Sequence, residues 1–81
     1  MNIYLVTRPY TASYDTYDSC VVRAENQEEA RKIHPSGDPW DAEVSYLTWV
    51  KTPEDVEVEW IGEDHSPNLK PGVVLASFNA G

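Results

Sequence analysis

Residues 21–33, VVRAENQEEARKI, decide the fold that the sequence predicts for this 81-residue chain. The two valines at the start favour a strand, because β-branched side chains suit a pleated, half-buried surface. Asn26 can accept a free backbone N–H at the start of a helix, and Glu29, three positions later, can reach back to the cap. Ala30 and Ile33 give that helix a small apolar face. The stretch therefore predicts a strand that leads into a helix lying over a sheet.

The rest of the chain supplies the partners of that strand. Four segments carry strand-forming patterns bounded by turn residues: Asn2–Arg8, Tyr14–Ala24, Asp55–Ile61 and Val73–Phe78. A turn at Tyr10–Ser13 joins the first two into a hairpin, and the helix is predicted over Gln27–His34, because Pro35 and Gly37 end it. The prediction is one α+β domain over residues 1–81. Its small, antiparallel-rich sheet has about four strands in the order β-β-α-β-β, with one helix packed on one face.

The predicted strands differ in how their faces are covered. Asn2–Arg8 carries apolar residues on both faces, which predicts a central strand covered on both sides. Val73–Phe78 is also apolar on both faces, which predicts an interior strand. Asp55–Ile61 alternates, so Glu57 and Glu59 should face solvent. The residues of that strand predicted to face the core are Val56, Val58 and Trp60.

The segment 38–52 allows two conformations. Trp40, Val44 and Leu47 recur at helical spacing after an Asp-Pro pair, which is typical of a helix start. An extended segment would instead place alternate residues from Val44 to Val50 on one face. We predict a short helical turn around Trp40–Val44 inside a long connection.

Charge excludes one class of partner. The chain has 14 acidic and 6 basic residues and a net charge of -8. Between Ser36 and His65 only Lys51 opposes a long series of acids: Asp38, Asp41, Glu43, Glu54, Asp55, Glu57, Glu59, Glu63 and Asp64. Direct nucleic-acid binding is not expected, because neutralising phosphates requires Lys and Arg. An acidic surface attracts basic partners instead.

The chain carries no pattern for export or membrane insertion. It lacks a basic region followed by an apolar one, and no run approaches the roughly 20 apolar residues that a membrane helix needs. Cys20 is the single cysteine, which excludes an internal disulfide and fits a reducing compartment. The predicted location is the cytoplasm of a host cell.

No residue pattern predicts catalysis, a metal or a cofactor. Cys20 lies among apolar strand residues and is interpreted as a buried small hydrophobe. His34 and His65 lack metal-ligand spacing, and His34 is explained as a favourable charge at the helix C-terminus. Pairs of acids such as Glu57 and Glu59 fit a solvated face better than an acid–base pair. The glycines are isolated, which excludes a phosphate-binding loop. The chain is not expected to be an enzyme.

The aromatic residues of the 38–52 segment have two interpretations. Trp40, Tyr46 and Trp49 can cover the second face of the sheet. They can also form a protein-binding patch, since Trp and Tyr dominate interface hot spots.

Four segments share their pattern with other small proteins: YLVTR at 4–8, YDTYDS at 14–19, EEAR at 28–31 with His34-Pro35, and VVLASFNAG at 73–81. In these segments the chain resembles a family of small proteins encoded by bacteriophages and prophages. The resemblance implies a phage setting, in which small acidic proteins inhibit host defence systems by occupying a basic surface of their target. Anti-CRISPR proteins are such a group. The resemblance assigns no catalytic or ligand-binding residue.

The leading hypothesis is a non-enzymatic inhibitor that docks on a basic, nucleic-acid-binding surface of a host defence complex, such as a CRISPR effector complex. Charge complementarity would steer and select the partner. The acids would supply the charge and the tryptophans the buried anchors, over these residues: Trp40, Asp41, Glu43, Trp49, Glu54, Asp55, Glu57 and Glu59. The alternatives are a small-molecule or metabolite-binding domain with an aromatic pocket, and a structural homodimer. The protein is expected to be a monomer or a homodimer.

Overall fold

Four antiparallel strands form one sheet in the order β3-β1-β2-β4. The computed structural model describes residues 1–9, 15–41, 43–67 and 69–79, with Ser45 described by its backbone alone. The strands are β1 (Asn2–Thr7), β2 (Thr16–Ala24), β3 (Glu57–Glu63) and β4 (Gly72–Asn79). The predicted turn at Tyr10–Ser13 and the predicted strand start at Tyr14 lie outside the described residues. The predicted antiparallel sheet of four strands with one short helix is confirmed.

β3 begins two residues later than predicted, and a 3-10 helix at Pro53–Asp55 explains the delay. The backbone N–H of Asp55 donates to Thr52 O at 3.0 Å. The backbone N–H of Thr52 donates to Asp55 Oδ2 at 3.3 Å. These reciprocal bonds close a tight turn, so the extended backbone starts only after Val56 and runs on to Glu63.

The helix, α1, spans Gln27–Arg31 and is capped as the sequence predicts. Asn26 Oδ1 accepts the N–H of Glu29 at 2.9 Å, and Glu29 Oε1 accepts the N–H of Glu25 at 2.8 Å. The helix is shorter than the predicted Gln27–His34, because the N–H groups of Lys32 and Ile33 bond three residues back instead of four. Over the described residues, no helix has the length and apolar character needed to cross a bilayer.

One face of the sheet carries the core. Alternate residues of β1 and β2 point to this side, which α1 also contacts, and they are buried. The core consists of Tyr4, Val6, Cys20, Val22, Ala24, Ala30, Trp49, Val50 and Val56. Arg31 Nη1 donates to Val56 O at 2.8 Å and so ties α1 to the start of β3. We call this side the covered face.

The connection between α1 and β3 closes the covered face. Its helical turn lies at Ser45–Leu47, so the prediction of a turn at Trp40–Val44 is wrong in position. The N–H of Tyr17 donates to Thr48 O at 2.8 Å, which fixes the connection on β2. Trp49 and Val50 follow directly and are fully buried. The connection therefore fills the core mainly with Trp49 and Val50, and not with the apolar residues that suggested the earlier turn.

Three predictions about strand surroundings are wrong. β4 is an edge strand, although its apolar residues predicted an interior one, and Leu75 is 69% exposed. β1 is central in the sheet, but only one of its faces is buried. Trp60, predicted to face the core, is 55% exposed, and its Nε1 donates to Asn2 Oδ1 at 3.2 Å. In each case long-range pairing decides the burial, and local alternation does not specify that pairing.

Candidate functional site

Among the residues that the structure describes, none of the nine that form the buried hydrophobic core lies on the second face of the sheet. In the three rows that contain Ile3, Leu5 and Thr7, the strand register places ten side chains on this side. We call it the open face, and it consists of Ile3, Leu5, Thr7, Ser19, Val21, Arg23, Glu57, Glu59, Leu75 and Ser77. Its residues on the two central strands are half-buried, and those on the edge strands are exposed. The open face is therefore an accessible surface that spans all four strands.

An apolar row crosses the middle of the open face. The register aligns Leu5 with Val21 and Val21 with Leu75. Directly opposite residues of an antiparallel pair lie about 4.5–5.5 Å apart at Cβ, so these side chains are in contact range. A hollow of about 230 Å³ lies between β2 and β4 and includes Val21 and Leu75 in its lining. The row supplies apolar surface for a partner to cover.

Carboxylates border this row at the β3 edge. Glu59 lies opposite Leu5, and Glu57 lies opposite Thr7. Both glutamates are exposed and two residues apart on one strand, so they share the open face. Among the described residues, no ion pair neutralises either of them; Glu63 Oε2, further along this edge, lies 3.0 Å from His65 Nε2. The edge therefore presents uncompensated negative charge.

The other predicted contact residues do not join one surface with these glutamates. Glu54 and Asp55 are exposed and lie next to β3 in the 3-10 helix, so they extend the acidic edge. Asp41 lies instead beside Tyr17 and Phe78, at the β2–β4 end of the covered face. The exposed Glu43 follows it closely, and its N–H donates to Asp41 Oδ1 at 2.9 Å. The predicted acidic region is thus divided between two sides of the sheet.

The two tryptophans predicted as partner anchors are packed within the protein. Trp49 is 1% exposed and belongs to the core, so its prediction as a partner contact is wrong. Trp40 is half-buried, packs against the core and meets the His34 ring edge-on with centroids 5.7 Å apart. Of the two interpretations of these aromatics, the covering role is the one that their burial supports.

A cavity of about 340 Å³ opens on the covered side of the sheet, beyond the end of α1. Its walls include the aromatic rings of Tyr17, His34 and Phe78. Tyr17 and Phe78 face each other across β2 and β4, with centroids 4.8 Å apart and planes at 62°. Asp38 and Asp41 also line the cavity and are exposed. The cavity combines apolar walls with a negatively charged rim.

His34 is buried and hydrogen-bonded at the back of this cavity. Its Nδ1 accepts the N–H of Ser36 at 3.1 Å, and Ser36 Oγ lies 2.8 Å from the same nitrogen. Its Nε2 lies 3.4 Å from Thr48 Oγ1. Ser36 Oγ also accepts the N–H of Asp38 at 3.2 Å. A Ser–His distance of this length is found in nucleophile–base pairs, but the contacts among His34, Ser36 and Asp38 belong to the turn after α1. α1 ends at Arg31, so His34 lies three residues beyond the helix end and not at the C-terminus where the prediction placed it.

The pKa shifts of Cys20 and Asp64 have structural explanations. Cys20 is buried as predicted, and burial raises the pKa of its thiol to about 12. Hydrogen bonds from Ser66, the backbone N–H first, lower the pKa of Asp64 in the loop after β3. In the described ranges, no three His, Cys, Asp or Glu side chains are grouped to hold a metal ion.

The sequence reasoning missed the apolar row of the open face. Asn2–Thr7 is apolar on both sides, and this pattern indicates an uncovered apolar surface, because a single short helix cannot cover both faces of a sheet. No protein-family model, curated protein or solved structure matches the chain. The phage setting implied by the resemblance therefore stays a prediction.

Proposed function

We propose that this protein is a non-enzymatic binding module that docks its open face on a basic surface of a protein partner. The observation that carries the proposal is the pairing of an apolar row with unneutralised carboxylates on one accessible side of the sheet. Protein interfaces have this arrangement, with an apolar centre and a polar, solvent-accessible rim. Leu5, Val21 and Leu75 form the centre, and Glu57 and Glu59 form the rim.

The charge of the rim sets the chemistry of the partner. Glu54, Asp55, Glu57 and Glu59 follow one another along one edge, and none has an ion pair among the described residues. Lys or Arg side chains on the partner would approach Glu57 and Glu59 without displacing an existing ion pair of the described residues. Since the chain is strongly acidic, the field also accelerates encounter with a basic protein and repels nucleic acid.

The proposed class of target is a host protein whose basic surface normally binds nucleic acid. This part of the proposal combines the acidic edge with the resemblance to phage-encoded proteins. By covering phosphate-binding Lys and Arg residues, the protein would act as an inhibitor of a host defence complex, in the manner of anti-CRISPR proteins. The covered face, with Trp49 in the core, serves to hold the sheet that presents the docking surface.

A capture experiment with three baits tests the proposal. Tagged wild-type protein, Glu57→Lys/Glu59→Lys and the control Glu25→Lys/Glu28→Lys are incubated with extract of a bacterial host at low and at high salt. The control changes the charge by the same amount, but its residues lie at the start of α1, on the other side of the sheet. The proposal predicts a basic protein captured at low salt by the wild type and the control and lost with the β3 variant.

Two results would contradict the proposal. Equal capture by all three baits would show that the acidic edge only solubilises the protein. Loss of capture with both variants would show that overall charge, and not the open face, determines binding.

Self-association is a second candidate function, supported by the unprotected β4 edge. β4 contains no charged residue, in contrast to the three glutamates of β3, and Val74 is 49% exposed. Edge strands without charge or proline are prone to pair with another strand. Light scattering over a range of protein concentrations tests it: a mass that stays that of one chain excludes the homodimer.

A further inference from the structure

We infer that the cavity at the β2–β4 end of the covered face binds a small organic cation, namely an alkylammonium or guanidinium group. The juxtaposition that carries the inference is an aromatic wall of Tyr17, His34 and Phe78 beside the carboxylates of Asp38 and Asp41. The cavity lies on the side of the sheet opposite Glu57 and Glu59. The inference is therefore independent of the docking function proposed for the open face.

The aromatic wall is a built and ordered part of the fold. Tyr17 contacts Phe78 on one side and the His34 ring on the other, at centroid distances of 4.8 Å and 5.9 Å. The His34 ring is 5% exposed and is held through both nitrogens by Ser36 and Thr48. Cations are attracted to the electron-rich faces of phenol and phenyl rings, such as those of Tyr17 and Phe78, within about 6 Å of the ring centroid. The wall can thus line one side of a bound cation.

The carboxylates at the rim of the cavity determine which charge a ligand can carry. Asp38 and Asp41 line the opening, and no Lys or Arg is among the lining residues. An anion would meet two carboxylates and no positive group, so anionic ligands are disfavoured. A bare divalent ion would require several oxygen ligands at once, and the described residues contain no cluster of three ligating side chains. An organic cation uses both features, the carboxylates for its charge and the rings for its alkyl part.

The size of the cavity limits the ligand to a side-chain-sized group. Its volume of about 340 Å³ is at the lower end of small-molecule sites. Two sources fit this chemistry: a free amine or guanidine, and a Lys or Arg side chain of another protein. His34 contributes shape rather than proton transfer, because its Nδ1 already accepts the N–H of Ser36.

NMR titration of the ¹⁵N-labelled protein tests the inference. The probes are butylammonium and butylguanidinium chloride, with sodium butyrate and 1-butanol as matched anionic and neutral controls. The expected result is saturable shifts of the Tyr17, Thr48 and Phe78 amides with both cations and not with either control. The pentapeptide Gly-Gly-Lys-Gly-Gly separates the sources: tighter binding than butylammonium favours a protein side chain, and weaker binding favours a free amine. Both of these outcomes support the site.

Two variants with the same charge change make the test specific. Asp38→Asn/Asp41→Asn should weaken cation binding about fivefold or more. The asparagine at position 41 keeps an oxygen for the N–H of Glu43, so the turn is preserved. Glu28→Gln/Glu43→Gln, whose residues do not line the cavity, should bind within about twofold of the wild type.

Three results would overturn the inference: equal binding of butyrate or butanol, shifts that map away from the cavity, or unchanged affinity in Asp38→Asn/Asp41→Asn.

Discussion

The two faces of the sheet are built from the same strands but differ in how deeply their apolar side chains are buried. On the covered face, Val6, Val22 and Trp49 are almost completely buried under α1 and its following connection. On the open face, Val21 is half-buried and Leu75 is 69% exposed. The covered face therefore accounts for the stability of the fold, and the open face keeps apolar area that folding does not use.

Because the two faces differ in burial, the stabilising residues and the docking residues can be changed separately. Neighbouring residues of one strand point to opposite faces, so a substitution on one face leaves the other in place. Substitutions on the covered face should mainly change the free energy of unfolding. Substitutions on the open face should mainly change binding.

The largest expected effect comes from the tryptophans. Trp49→Ala should lower the free energy of unfolding by about 3–5 kcal/mol, because it empties the core. Trp60→Ala, the control, should cost about 1 kcal/mol or less, since Trp60 is 55% exposed and makes an exposed hydrogen bond to Asn2. Urea unfolding followed by circular dichroism measures both.

If Trp49→Ala does not fold, Trp49→Phe replaces it. The indole Nε1 of Trp49 has no hydrogen-bond partner among the described residues, so Trp49→Phe should lower the free energy of unfolding by about 1 kcal/mol. Equal losses for Trp49 and Trp60 variants would contradict the assignment of the core.

Adjacent valines of β2 give the closest comparison of the two faces. Val22 is fully buried on the covered face, and Val21 lies on the open face. Val22→Ala should cost about 2 kcal/mol and Val21→Ala less than about 1 kcal/mol, as measured by urea unfolding. A larger loss for Val21→Ala would mean that the open face is part of the core.

The Cys20 thiol makes the covered face sensitive to alkaline pH. Burial raises the pKa of Cys20 from 9.0 to about 12. Between these values the unfolded chain has lost a proton that the folded protein keeps, so the free energy of unfolding falls as pH rises. The loss is about 1.4 kcal/mol per pH unit, and the contribution is fully present below pH 9.0.

Cys20→Ala is the matched control for this effect. The difference in unfolding free energy between wild type and Cys20→Ala should shrink by about 1.4 kcal/mol between about pH 9.5 and 10.5. A difference that stays constant over this range would show that the thiol is accessible to solvent. Native Cys20 should also react slowly with thiol reagents, because the thiolate is the reactive form.

The smallest effect on stability is expected at the acidic edge. Glu57→Lys/Glu59→Lys should change the free energy of unfolding by less than about 1 kcal/mol, since both side chains are exposed and have no ion pair among the described residues. Thermal unfolding against the Glu25→Lys/Glu28→Lys control measures it. A loss of several kcal/mol would show that these glutamates stabilise the fold.

Local chemistry was predictable from the sequence. The Asn26 cap, the Glu29 carboxylate beside it and the burial of Cys20 follow from residues that are close in the chain. The outward direction of Glu57 and Glu59 follows from strand alternation. These features depend on a few neighbouring residues, and no distant contact overrides them.

The position of each strand in the sheet was not predictable in the same way. The apolar residues of β4 suit an interior strand, yet pairing with β2 alone leaves it at the edge. Trp60 lies in an alternating strand and Trp49 in a segment of ambiguous pattern, yet only the connection bound to Tyr17 carries its tryptophan into the core. The predicted acidic site was divided for the same reason. Asp41 and Glu57 belong to segments that the sheet topology separates.

Mapping where a partner touches the sheet tests the docking role of the open face most directly. The ¹⁵N-labelled protein is titrated with the basic protein captured at low salt, and amide signals of both faces are followed by NMR. Signals of the open face, such as Leu5, Glu59 and Leu75, are expected to shift or broaden at low salt and to recover at high salt. Signals of Ala30 and Trp49 on the covered face should remain unchanged. Perturbation confined to α1 and the covered face, with Leu5, Glu59 and Leu75 unaffected, would contradict the claim that the open face is the docking surface.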